Sequence, residues 1–170
     1  MSKVKHYTLL SMLLAMAIIV GYLESFIPVI IPGVKLGLAN VIILVCLIHF
    51  KWYEALIVSI LRIFIVSLLI GTFLNITFLM SLSGGILSFL AMFIALKCLK
   101  NAVIFPSLLG SLFHVIGQIL IAIIITSTIN VIYYLPIILL LAIPTGILVG
   151  ILAKAILKIK IFNYETDVSK

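Results

Sequence analysis

Charge is scarce in this chain. Only 9% of its 170 residues are charged, where a soluble domain carries about 25%. Acidic groups are scarcest, and Glu24, Glu54, Glu165 and Asp167 are all four of them. A surface this poor in polar groups cannot be wetted, so the composition excludes a soluble domain. Cysteine is nearly absent as well. Cys46 and Cys98 fall near the predicted cytoplasmic ends of helices, on a reducing side where a disulfide is not expected, and two isolated cysteines make no metal site. The chain has no Gly-x-x-x-x-Gly-Lys-Ser/Thr loop, no His-Glu-x-x-His pair and no nucleophile elbow. Neither ATP hydrolysis by the usual route nor a catalytic residue is expected, and no resident metal or cofactor.

What fills the sequence is apolar: 66% of the residues are hydrophobic, with a mean hydropathy of +1.53. A bilayer core takes roughly 20 apolar residues per helix. The sequence divides into six apolar runs: Tyr7–Ile27, Leu36–Phe50, Glu54–Ile70, Ile76–Leu96, Phe105–Thr126 and Ile132–Leu157. They predict an all-α integral membrane bundle of six helices, a single domain over 1–162 with a polar, disordered cytoplasmic tail at 163–170. The second run is short, and either extends through Val29–Val34 or sits as a tilted, partly broken segment. The first run contains Glu24, ends at Pro28 and lacks a small-x-small cleavage pattern, so it reads as a retained helix and not a signal peptide.

The net charge of +7 invites a nucleic-acid partner. The lysines form no basic stripe, so none is expected. Of eleven basic residues, Lys3, Lys5, Lys51, Lys97, Lys100, Lys154, Lys158, Lys160 and Lys170 lie in the tails or in alternate gaps. Lysine concentrates on the cytoplasmic side, so both termini are expected there, with anionic lipid heads as further neighbours. Lys35 and Arg62 break the pattern.

Arg62 is the hardest residue to place in hydrocarbon. It falls about 12 Å along a helix starting near Glu54, where a charge costs at least roughly 2.5–3.5 kcal/mol. Glu24 is the one acid available inside the bundle. Either the two form an ion pair that fixes the packing, or Arg62 faces a polar cavity open to the outside and binds an anionic or polar ligand, with Glu24 orienting it. Lys35, Asn40, His114 and Gln118 can converge on the same outer half. Two stripes of period 3.6 lead there: Thr77, Ser81, Gly84, Gly85 and Ser88 on the fourth helix, and Ser107, Gly110, Ser111, His114 and Gln118 on the fifth. The first suits close packing; the second carries side chains larger than packing requires. Gly33 to Asn40 is either a loop-to-helix joint with a snorkelling lysine or a helix N-terminus whose free N–H groups suit an anion.

These stretches carry a resemblance. Tyr22-Leu-Glu24-Ser-Phe-Ile-Pro28, Pro32-Gly-Val-Lys-Leu-Gly-Leu-Ala-Asn40, Leu61-Arg62, Ser81-Leu-Ser-Gly-Gly85, His114-Val-Ile-Gly-Gln118 and Leu135-Pro136 resemble the heptaprenyl diphosphate synthase component I family, also called the Gx transporter family. That family looks like the S components of energy-coupling factor transporters. The resemblance implies an S-component-like bundle with a ligand pocket in its outer half, and docking on an energy-coupling transmembrane protein with its ATPases through a small-x-x-x-small face on the first helix. Ser11 and Ala15 have that spacing. The family's title implies instead an accessory role beside a catalytic prenyl synthase subunit. Prenyl chain elongation uses magnesium on clustered aspartates, and this chain has no transmembrane aspartate.

Overall fold

The computed structural model describes residues 3–27, 35–99 and 102–159, and all of their regular structure is helical. Six α-helices follow in order: α1 Lys3–Glu24, α2 Asn40–His49, α3 Trp52–Ile70, α4 Ile76–Cys98, α5 Ile104–Thr126 and α6 Leu135–Leu157, with a 3-10 turn at Ile129–Tyr134 before α6. Five are long and apolar enough to cross a membrane, counting that turn with α6. This fits a multi-pass membrane protein. Exposed Leu, Ile and Phe side chains cover the outside, as expected where the solvent is lipid. The expected stretch Val29–Val34, the tail at 163–170 and Lys100, Lys160 and Lys170 lie outside the described residues.

The exception to the long helices is α2. Its 10 residues rise about 15 Å, half of a bilayer core of about 30 Å. The apolar run predicted a start at Leu36; the helix starts at Asn40. Gly37 has a φ of 82°, in the left-handed region where glycine is at no disadvantage, and this holds 35–39 out of the helix. Every residue from Asn40 to Cys46 is buried, because α2 touches all five other helices. Around it α1, α3, α4, α5 and α6 form an arc, each packed on the next.

Three contacts fix the ends of this arc. His6 of α1 bonds Glu54 of α3 at 2.8 Å. Trp52 at the start of α3 lies 6.2 Å from Phe93 near the end of α4. Gly150, late in α6, packs on Ile104 at the start of α5. The described lysines of the biased set, Lys3, Lys5, Lys51, Lys97, Lys154 and Lys158, therefore gather at one end of the bundle. Leu13, Val45, Val58, Met92 and Val149 build an apolar core there around α2. Toward the opposite end, Val115, Ile119 and Ile138 fill the space among α4, α5 and α6, and a cavity lies beside α1 and α3.

Both predicted stripes face inward. Ser81, Gly84, Gly85 and Ser88 are buried on α4, as are Ser107, Gly110, Ser111, His114 and Gln118 on α5. A Cβ on Gly84 would stand 2.7 Å from the His114 carbonyl oxygen, and one on Gly117 2.8 Å from the Gly84 Cα. These two glycines let α4 and α5 touch backbone to backbone.

Candidate functional site

The space beside α1 and α3 is a cavity lined by Gly21, Glu24, Lys35, Arg62, Ile63, Val66, Ser81 and His114. Four of the six residues expected to bind a ligand are thus brought together by α1, the turn before α2, α3 and α5. The cavity measures about 20 Å³, against the roughly 10–15 Å³ that one water needs.

Arg62 follows ten residues of α3, about 15 Å from its start, and is 5% exposed. Its Nε has no hydrogen-bond partner. Glu24, 4% exposed, couples electrostatically to Arg62, yet among the described residues the two close no ion pair. The expectation of a packing ion pair is not met here; one Glu24 carboxylate oxygen instead accepts from the Gly37 N–H. That bond ties the end of α1 to the turn before α2.

The same turn answers the question of free N–H groups at the start of α2. The N–H groups of Asn40, Val41 and Ile42 donate to the carbonyls of Gly37, Leu38 and Ala39. They are engaged, so the anion served by this helix end is the protein's own Glu24. Lys35 is half-buried and lines the same cavity as Glu24 and Arg62.

His114 and Gln118 divide their work in a way the hydrogen bonds fix. The Lys35 N–H donates to Gln118 Oε1 at 3.1 Å. A backbone N–H can only donate, so that atom is the amide oxygen and the other is the NH₂. The NH₂ sits 2.9 Å from His114 Nε2, so Nε2 accepts. His114 is then neutral, with its proton on Nδ1. Nδ1 lies against Gly84 without completing a hydrogen bond. Gln118 is fully buried and stands behind the cavity wall, holding His114 and Lys35 in place; it does not line the cavity. Asn40 also stands back, donating from Nδ2 to Ser88 Oγ of α4 at 3.0 Å.

Sequence reasoning missed Gly21, Ile63, Val66 and Ser81 as lining. Gly21 had a signal in its spacing, one turn before Glu24 on the same face of α1. A Cβ there would meet Val66 at 3.3 Å and Arg62 Cδ at 3.9 Å. Ser11 and Ala15 lie apart from the cavity on the exposed side of α1. Among the described residues no cluster of three or more His, Cys, Asp or Glu could hold a metal ion.

No curated protein and no solved structure matches this chain. A family model does, over residues 13–156, a span that takes in every residue of the cavity wall. The chain belongs to the heptaprenyl diphosphate synthase component I family.

Proposed function

We propose that the chain is a non-catalytic membrane subunit that works beside a catalytic prenyl synthase subunit, and that it holds a small anionic or polar group in the Arg62 cavity. The family membership carries the first half, since the family's name makes its members one component of a synthase. The chain's only aspartate is Asp167. Magnesium prefers several carboxylate and water oxygens, so elongation belongs to another subunit. The second half is carried by Arg62, which lines the cavity with Lys35 and closes no ion pair among the described residues.

In this proposal α2 and the stretch before it make the second of six passes. The lysine-bearing end faces the cytoplasm with both termini, in the plasma membrane, and the cavity lies in the outer half. Arg62 and Lys35 neutralise the ligand, His114 borders it, and Glu24, Asn40 and Gln118 hold the wall.

One observation favours a second proposal, an S-component-like substrate-binding subunit of a transporter. A half-length helix ending at a polar cavity near mid-depth is an architecture that transporters use. Ser11 and Ala15, exposed on α1, would then meet an energy-coupling transmembrane protein, and ATP would be hydrolysed on other subunits.

Affinity purification in mild detergent separates the two. Co-purification of a soluble, aspartate-rich synthase is the expected result. Co-purification of ATPases would transfer the case to transport. The isolated chain with no carried-over small molecule by native mass spectrometry would leave a membrane scaffold and refute both.

A further inference from the structure

Arg62 and Lys35 bring two formal positive charges to the cavity wall, and Glu24 brings one negative charge. His114 adds none, because the Gln118 NH₂ makes its Nε2 an acceptor. The wall therefore carries one excess positive charge. Glu24 remains close enough to couple to both cations, yet it gives an oxygen to Gly37 and leaves Arg62 Nε without a partner in a residue 5% exposed. An unpaired buried charge is costly, and an anionic oxygen in the cavity beside the Arg62 guanidinium would relieve it. The space of about 20 Å³ admits one water-sized group, so a ligand would place a single oxygen there and keep the rest of itself outside.

Resting on the reading that this cavity holds an anionic group, we infer that it is built for a single negative charge, a carboxylate or a phosphodiester oxygen, and that Glu24 discriminates against a diphosphate. A diphosphate would bring further negative charge up to the Glu24 carboxylate at the wall. Like charges placed together at a desolvated contact are a strong means of rejection. Glu24 is thus a specificity residue as well as the tie to Gly37.

The test uses the full chain in neutral detergent at constant ionic strength. Acetate, short-chain phosphatidylglycerol and inorganic pyrophosphate are titrated separately, with binding read by the thermal unfolding midpoint and by native mass spectrometry. Acetate or phosphatidylglycerol should bind one to one, at least about tenfold more tightly than pyrophosphate. Acetate binding identifies a soluble carboxylate as the ligand type, and binding of phosphatidylglycerol alone identifies a lipid head. Glu24→Gln keeps an oxygen for the Gly37 N–H and removes the negative charge, so it should swing the preference toward pyrophosphate. Pyrophosphate binding to the unaltered chain as tightly as the monoanions would overturn the inference, as would an unchanged ratio in folded Glu24→Gln. If none of the three binds, or Arg62→Gln binds them as the unaltered chain does, the anion-binding reading itself falls.

Discussion

Glu24 ends α1, where the carbonyl end of a helix dipole disfavours a carboxylate. It is held because the Gly37 N–H reaches it from the turn before α2, and because two cations stand nearby. Arg62 gains from that neighbour without being consumed by it. Replacing Arg62 with Gln should therefore weaken ligand retention at least about tenfold, the scale of one charge-assisted hydrogen bond, while membrane insertion and yield stay unchanged. Equilibrium dialysis against the ligand identified by native mass spectrometry checks this, and unchanged affinity would remove Arg62 from the site. Glu24, Lys35, Arg62 and His114 were legible in the sequence because each is expensive in an apolar run. The roles of Gln118 and Gly37 were not, because each is defined by a backbone N–H or a carboxylate distant in sequence.

Helix positions could be read from apolar run lengths, and the ends of α3, α4, α5 and α6 fall within a few residues of the expected ones. The start of α2 could not, since it depends on one backbone angle and one tertiary hydrogen bond. Gly37→Ala tests that dependence. A side chain at positive φ costs about 1–2 kcal/mol, and its Cβ would stand 2.9 Å from Asn40 Nδ2. The variant should unfold at lower temperature and lose ligand affinity together, because the same turn carries Lys35. Gly84→Ala acts elsewhere. Its Cβ would meet the His114 carbonyl oxygen at 2.7 Å, and relief requires α4 and α5 to part, at about 1–3 kcal/mol for an overpacked contact. A thermal unfolding midpoint equal to that of the unaltered chain would show that this helix pair is not closely packed.

At the scale of the molecule, the bundle is polar at both ends for different reasons. The six described lysines of the biased set share one end, where His6 and Glu54 also lie. The Arg62 cavity is set toward the other. This opposition was visible in the sequence as a lysine bias with two exceptions; which end faces the cytoplasm is a matter of insertion, and the native cysteines test it. Cys98 is exposed in the last turn of α4, beside Lys97 at the lysine end, and Cys46 is buried in α2. A membrane-impermeant maleimide should leave the chain unmodified in intact cells and add one label, on Cys98, in inverted membrane vesicles. Cys98→Ser should abolish that label while Cys46→Ser keeps it. Labelling in intact cells would turn the bundle over. The cavity would then lie in the cytoplasmic half, where capture from outside is impossible.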